Sequence, residues 1–301
     1  MRNLKKWLII GASLVLIGCI IFTGVMTMLK WDFKKLGTLN YETNEYTIDN
    51  EFKNISVESD TADITLLASD EKSVKVVCHE SSDAKHTVVI SSDTLEIKKN
   101  DTRKWYEHIG ICFESEKITV YLPKGEYGNL SVKASTGDLK VADEFKFADL
   151  NVTLSTGDIT LQNMTLRSAT LRVSTGEIAL DNVQSEGDLK AEVSTGKTYL
   201  KRLNCDNFIS VGNTGDITME NVIAKQKISI ERSTGDVKFD GCDAAEIFVV
   251  TDTGDVRGSL LSGKVFITKT DTGSIDVPKT TSGGRCEITT DTGDIKFSIK
   301  K

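Results

Sequence analysis

The tripeptide Ser/Asn/Asp-Thr-Gly recurs from residue 129 to the end of the chain, with successive glycines 19 or 20 residues apart. This repeat restricts the fold more than any other feature, because a fixed period of this length is typical of solenoid proteins, in which each repeat stacks on its neighbours. The glycines of the nine copies are Gly137, Gly157, Gly176, Gly196, Gly215, Gly235, Gly254, Gly273 and Gly293.

Apolar residues alternate with polar ones on both sides of each glycine, which indicates two half-buried β-strands joined by a tight turn. A single coil cannot bury its inward face, so the coils must stack with their strands in parallel. The sequence therefore predicts an all-β fold, a right-handed parallel β-helix of about 20-residue coils. The apolar residues seven positions before the glycine are Leu130, Leu150, Ala169, Leu189, Phe208, Ile228, Ile247, Phe266 and Cys286.

The turn residues have a physical rationale. Glycine suits a backbone with positive φ, and the Ser, Asn or Asp two positions earlier can hydrogen-bond the local backbone. The threonines would form one column, which we interpret as structural, with hydroxyls bonded between neighbouring coils. The alternative is a flat hydroxyl array that binds a carbohydrate or another ordered surface. The column consists of Thr136, Thr156, Thr175, Thr195, Thr214, Thr234, Thr253, Thr272 and Thr292.

The N-terminal segment is a predicted membrane span. Residues 7–29 carry no charge and would make a helix of about 34 Å, enough to cross a bilayer. Arg2, Lys5 and Lys6 precede the span, so residues 1–6 are predicted to be cytoplasmic and the rest extracellular. A lipoprotein processed at Cys19 is the alternative, but the residues after Cys19 stay apolar where a processed lipoprotein has a polar tether.

The other segment boundaries are set by how closely the sequence of each segment matches the repeat pattern. Residues 30–47 are predicted to be a juxtamembrane linker, 48–128 irregular opening β-coils, and 129–301 regular solenoid repeats. The opening coils should carry a loop whose aromatic residues pack as a lid, namely Trp105, Tyr106 and Phe113. The last coil, with Phe297 and Ile299, is predicted to be an exposed β-edge suited to self-association.

The repeat also accounts for motifs that suggest chemistry. Asp-Thr-Gly occurs at residues 252–254, 271–273 and 291–293 and matches the core of the aspartic-protease signature, which needs two converging carboxylates. Because other copies carry Ser or Asn, we interpret it as turn structure. A column of acidic residues after the glycine could hold calcium, but Lys197 interrupts it. Its members are Asp138, Asp158, Glu177, Asp216, Asp236, Asp255 and Asp294.

Other constellations are missing from the sequence. His79, His86 and His108 are scattered and give no metal triad. Cys242 and Cys286 fall in inward columns and should be buried thiols, and Cys78 with Cys112 is a candidate disulfide. The chain has a net charge of −7 and no basic stripe for nucleic acid. We therefore expect no catalytic residue, metal site or cofactor.

The N-terminal helix, the Tyr-Leu-Pro-Lys of residues 121–124 and the Ser-Thr-Gly-Asp-Leu/Ile of 135–139 and 155–159 together resemble the bacterial putative-adhesin family of β-strand-repeat proteins. The resemblance covers residues 48–301. It implies a bacterial envelope protein with one membrane helix, and it supplies no catalytic residues to transfer.

Three functions are ranked on these grounds. The first is a membrane-anchored, non-catalytic adhesin or interaction module at the cell surface, which binds an envelope polymer, glycan or surface protein by multivalent contact. The second is an accessory component of envelope-stress sensing that acts through its cytoplasmic tail or helix. The third is a polysaccharide-acting β-helix enzyme, which would require acidic and basic groups clustered in one lateral groove.

Overall fold

The computed structural model of the chain describes residues 2–32, 40–101, 114–142 and 144–300. The first element is helix α1, Arg2–Met28. Within the described chain, Lys5–Met28 is the one helical segment long and apolar enough to cross a membrane. Such a helix near an N-terminus is either a membrane anchor or a signal sequence.

In the described residues, twenty-two β-strands follow the helix and join into one sheet. Those at the N-terminal end are β1 Tyr41–Ile48, β2 Asn54–Ser59, β3 Ala62–Ser69, β4 Val74–Ser81, β5 Ala84–Ser91, β6 Thr94–Asp101 and β7 Glu116–Pro123. The central strands are β8 Glu126–Thr136, β9 Leu139–Val141, β10 Phe145–Thr156, β11 Ile159–Thr175, β12 Ile178–Ser185, β13 Leu189–Thr195, β14 Thr198–Thr214 and β15 Ile217–Thr234. The last strands are β16 Val237–Cys242, β17 Glu246–Thr253, β18 Val256–Leu260, β19 Lys264–Thr272, β20 Ile275–Asp276, β21 Gly284–Thr292 and β22 Ile295–Ile299.

From β8 onward the strands form the β-solenoid that the repeat predicted, with coils about 20 residues apart and about eight turns. The strands before and after each turn glycine pair in parallel with the equivalent strands of the next coil. Thr156, for example, lies beside Thr136 on one side and Thr175 on the other. Equivalent residues therefore form straight columns along the solenoid.

The inward columns make one continuous hydrophobic core. Leu130, Leu150 and Leu189 are buried before the turn, and Ile159 and Ile178 after it. A second bend follows each turn glycine by six residues, where a non-glycine residue takes a positive φ of 51–57° in four successive coils. Asparagine tolerates this conformation well. The residues at the bend are Asn163, Asn182, Arg202 and Asn221.

The N-terminal end of the solenoid is closed by strands that run against the coil direction. Strands β6 and β7 stack in parallel on β2 and β3. Beyond them, β5 pairs antiparallel with β6, and β4 pairs antiparallel with β7. Strand β1 pairs antiparallel with β4 and therefore belongs to the sheet, although it lies largely within the segment predicted as linker. We call β4 and β5 the reversed coil. The predicted aromatic lid of Trp105, Tyr106 and Phe113 lies outside the described residues.

The C-terminal coils do not stack in chain order. Strand β21 lies between β17 and β19, and β22 lies between β18 and β20. The last coil is thus covered on both sides, and Phe297 is only 6% exposed. The prediction that this coil forms the exposed edge is corrected: the outermost coil consists of β19 and β20, with Ile267 and Ile275 exposed.

Candidate functional site

The repeated turn is built by close contact between glycines of neighbouring coils. The turn glycines have φ between 126° and 153°, a region that side chains other than glycine rarely adopt. Each glycine from Gly157 to Gly235 also lies against the carbonyl of the preceding turn glycine, where an added Cβ would come within 2.2 Å of the carbonyl oxygen. The N–H of Gly157 donates to the carbonyl of Thr175, and that of Gly176 to Thr195, both at 3.0 Å. The predicted structural role of these glycines therefore has a direct physical cause.

The acidic column after the turn is a hydrogen-bonded ladder. Oδ1 of Asp138 accepts the backbone N–H of Asp158 at 2.8 Å, and Oδ1 of Asp158 accepts that of Glu177 at 2.7 Å. The same contact holds the C-terminal coils, where the backbone N–H of Ser274 donates to Asp294 and keeps the pKa of that carboxyl below its usual value. Backbone donors thus offset the mutual repulsion that had suggested calcium.

The threonine column lies on the outer surface of these turns. All nine threonines are exposed, and register pairing places them in one unbroken line. From Thr156 onward their backbone carbonyls accept hydrogen bonds between coils, but none of the nine hydroxyls bonds to another residue in the described chain. The structure therefore does not support the predicted hydroxyl bonds between coils. We call these nine threonines the threonine face.

Two neighbouring features complete this surface. The residue before each threonine, such as Ser155 or Ser174, is also exposed, so polar side chains border the threonine face along its length. The acidic members of that bordering column, Asp252, Asp271 and Asp291, belong to the three Asp-Thr-Gly copies. They are exposed on the outer surface of the solenoid, which agrees with their interpretation as turn residues.

A family model described as Toastrack DUF4097 matches residues 52–187 and 184–301. The chain belongs to this family. A crystal structure of a "putative adhesin" from Parabacteroides distasonis matches with a TM-score of 0.53 at 10% identity, over 87% of this chain and 98% of that chain. A "putative adhesin" from Bacteroides fragilis matches with a TM-score of 0.44 at 17% identity, over 86% and 97%. At these identities the likeness concerns the fold alone, and no curated protein matches the chain.

This Toastrack chain also has a lateral groove on another side of the solenoid. A depression of about 520 Å³ is lined by polar and charged residues, including Lys124, Glu126, Lys146 and Asn163. The Lys146 ammonium lies 3.0 Å from the Glu126 carboxylate. In an adjoining depression Arg167 binds Asp149 and lowers the pKa of that carboxyl. Acidic and basic groups are thus close together here, but these cations are already paired with neighbouring carboxylates.

A buried arginine lies in the core of the Toastrack chain, which the apolar pattern did not reveal. Arg232 is 2% exposed and donates to the Val193 carbonyl at 3.1 Å and to the Ser210 hydroxyl at 3.0 Å. Its Nη1 occupies the space that a side chain at Gly212 would fill. Burial lowers the pKa of Arg232 to about 10. The signal available in the sequence was the placement of Thr198 and Ser210 at positions that are apolar in most coils.

A second polar cluster lies inside the reversed coil. Cys78, Glu80 and His86 are buried, and one ligand atom from each lies within 4.8 Å of the others. Burial raises the pKa of the Cys78 thiol to about 12. The pKa of Glu80 is lowered, because hydrogen bonds from His86 and Asn44 outweigh the opposing effect of burial. The sequence positions of the histidines do not predict this cluster, because nothing in the repeat indicates a reversed coil.

Three further cysteines lie in the core of the solenoid. Cys242 and Cys286 are buried as predicted, and Cys205 is buried with them. Burial raises the thiol pKa to about 11 in Cys242 and to about 12 in Cys205 and Cys286, so the reactive thiolate is scarce at neutral pH. Cys78 is a free thiol, and its predicted partner Cys112 lies outside the described residues.

Proposed function

We propose that the protein is a non-catalytic, membrane-anchored interaction module at the bacterial cell surface, and that its threonine face binds an ordered envelope polymer or glycan. The observation that carries the proposal is the line of nine exposed hydroxyls with no partner within the described chain. Each hydroxyl can donate one hydrogen bond and accept others.

The geometry of a solenoid makes such a surface suitable for a repeating ligand. Adjacent coils lie about 4.8 Å apart, so the hydroxyls are evenly spaced on a rigid support. One exposed hydrogen bond contributes only about 1 kcal/mol, but several formed together on a polymer give a useful affinity because later contacts are intramolecular. A preorganised surface also loses little entropy on binding.

The location rests on helix α1. Its apolar stretch is uncharged and long enough for a bilayer, and it continues beyond the length of a typical signal-peptide core. Lys5 and Lys6 precede it, which favours a cytoplasmic N-terminus and an external solenoid. If the helix is an anchor, mass spectrometry of the membrane-extracted protein will find the N-terminal residues intact. Recovery of a chain that begins at a lipid-modified Cys19, or beyond the helix, would contradict retention.

Binding is tested with the full-length chain in detergent on a glycan array and on purified peptidoglycan sacculi. In one variant all nine threonines of the threonine face are changed to Val, and in the matched control they are changed to Ser. We expect the Val variant to lose at least tenfold in affinity and the Ser variant to retain binding, because serine keeps the hydroxyl. Circular dichroism checks that both remain folded.

Equal binding by the Val and Ser variants would exclude the threonine face as the contact surface. A change of Lys146 and Arg167 to Gln provides an independent comparison, because these residues line the lateral groove and the adjoining depression. Loss of binding in that variant alone would move the contact to the groove.

A further inference from the structure

The reversed coil encloses three side chains of types that commonly bind metals. Cys78 and Glu80 lie two residues apart on the buried face of β4, and His86 lies on the buried face of β5. Their donor atoms lie within 4.8 Å of one another. Most inward positions of the solenoid are apolar, and burying polar groups costs free energy unless they are bonded. Buried polar groups in such a place need hydrogen-bond partners or a metal ion.

The carboxylate and the imidazole are held in position by neighbours. His86 Nδ1 lies 2.6 Å from Glu80 Oε2, and His86 Nε2 lies 3.0 Å from the Ser59 hydroxyl. The Asn44 amide donates to Glu80 Oε1 at 2.8 Å. This arrangement is typical of metal sites, in which the second nitrogen of a histidine and the second oxygen of a carboxylate are bonded to outer groups. No hydrogen bond joins the buried Cys78 thiol to another described residue, so its sulfur is available as a ligand.

We propose that Cys78, Glu80 and His86 bind one thiophilic divalent cation, with Zn²⁺ as the best match. A thiolate, a carboxylate and a neutral imidazole are all ligands of Zn²⁺, whereas Ca²⁺ and Mg²⁺ require oxygen ligands. The thiol releases its proton to solvent on binding. The charges of Zn²⁺, the thiolate and the carboxylate then sum to zero, which suits a buried site. A water molecule completes the tetrahedron.

Such a metal would link two consecutive strands that do not pair with each other by hydrogen bonds. Strand β4 pairs with β1 and β7, and β5 pairs with β6. No ladder joins β4 to β5 among the described residues. Bonds from one cation to Cys78 and Glu80 on β4 and to His86 on β5 would therefore fasten the cap of the solenoid.

The test uses the full-length chain in detergent, stripped with a chelator and titrated with Co²⁺ and then Zn²⁺. We expect one Co²⁺ per chain, a thiolate-to-cobalt charge-transfer absorption, and its loss when Zn²⁺ displaces cobalt. Cys78→Ser should abolish this absorption, and His86→Gln should weaken binding at least tenfold. Cys286→Ser is the matched control, because it removes another fully buried thiol, and it should leave the absorption unchanged.

Absence of the absorption in the wild-type chain, or its persistence in Cys78→Ser, overturns the proposal. X-ray absorption of the zinc-loaded wild-type chain answers the same question without a variant, in case Cys78→Ser does not fold. One sulfur at about 2.3 Å with nitrogen and oxygen ligands at about 2.0–2.2 Å supports the site. Coordination by oxygen and nitrogen alone refutes it.

Discussion

Replacement of Gly196 by Ala should strongly destabilise the solenoid, because it perturbs the tightest of the stacked turns. Gly196 has φ 138°, and an added Cβ would lie 1.8 Å from the carbonyl oxygen of Gly176. Alanine must therefore keep a backbone conformation that costs about 1–3 kcal/mol and also push the two coils apart. Separation would weaken two hydrogen bonds between these coils, from Gly176 N–H to Thr195 and from Ile178 N–H to Lys197, each worth about 1 kcal/mol.

The expected loss in the free energy of unfolding is about 4 kcal/mol, a large part of the stability of an ordinary domain. Urea denaturation of the full-length chain in detergent, followed by far-ultraviolet circular dichroism, measures the loss. Gly125→Ala is the control, since an added Cβ at Gly125 has no atom within 4 Å, and it should change stability by less than about 0.5 kcal/mol. A loss below about 1 kcal/mol for Gly196→Ala would refute the argument that close contact between turns requires glycine.

Two further predictions concern the coil order and the buried cation. Because Thr292 pairs with Thr253, and adjacent strands lie about 4.8 Å apart, the double variant Thr253→Cys/Thr292→Cys should form a disulfide, detected by mass spectrometry. Thr253→Cys/Thr272→Cys should not form one, because the coil of Thr292 separates those positions and their Cα atoms lie farther apart than the limit of about 7 Å for a disulfide. The opposite result would show that the coils stack in the order of the chain. Arg232→Met should raise the free energy of unfolding by about 1 kcal/mol or more, measured by urea denaturation. The fall in the arginine pKa to about 10 corresponds to a cost of about 3 kcal/mol for burying the charge, and methionine does not incur this cost. Because the pKa is lower in the folded state, folded Arg232 loses its proton first as pH rises through about 10, and the wild type becomes more stable there. The stability advantage of the variant should therefore shrink above about pH 10. A variant less stable than the wild type would contradict this reasoning.

The regular part of the fold was predictable because the sequence repeats the same physical constraint in every coil. Apolar residues at fixed distances from the turn glycine, such as Leu150 and Ile159, are buried where the alternation placed them. The threonine face was likewise predictable as a column. The hydrogen bonding of its hydroxyls was not predictable, because the exposure of these side chains and the backbone contacts around them depend on the three-dimensional shape of the turn.

The reversed coil escaped prediction because antiparallel pairing does not generate a repeat. Strands β4 and β5 alternate like the others, with Val76 and Cys78 buried on one and Ala84 and His86 on the other. Alternation shows which face is buried, but it does not show the direction of the neighbouring strand. Glu80 and His86 meet only because the chain turns back at the cap, so the metal-capable cluster was hidden for the same reason.

The order of the C-terminal coils agrees with the packing around one glycine of the core. Gly258 occupies an inward column four residues after its turn glycine, in register with Phe239 of one neighbouring coil and Phe297 of the other, and it places no side chain between their rings. Phe297 holds the same place in the last coil, and its ring lies 5.4 Å from that of Phe239, centroid to centroid. The coil that comes next in the chain offers Val277 at this position, which is too small to reach across the gap. Close packing penalises an unfilled space, so the last coil, which carries Phe297, stacks on the coil of Gly258. The coil of Val277 comes earlier in the chain but lies at the end of the solenoid. Arg232 fills the space at Gly212 by the same rule, so a glycine in an inward column indicates a large residue in the coil stacked upon it.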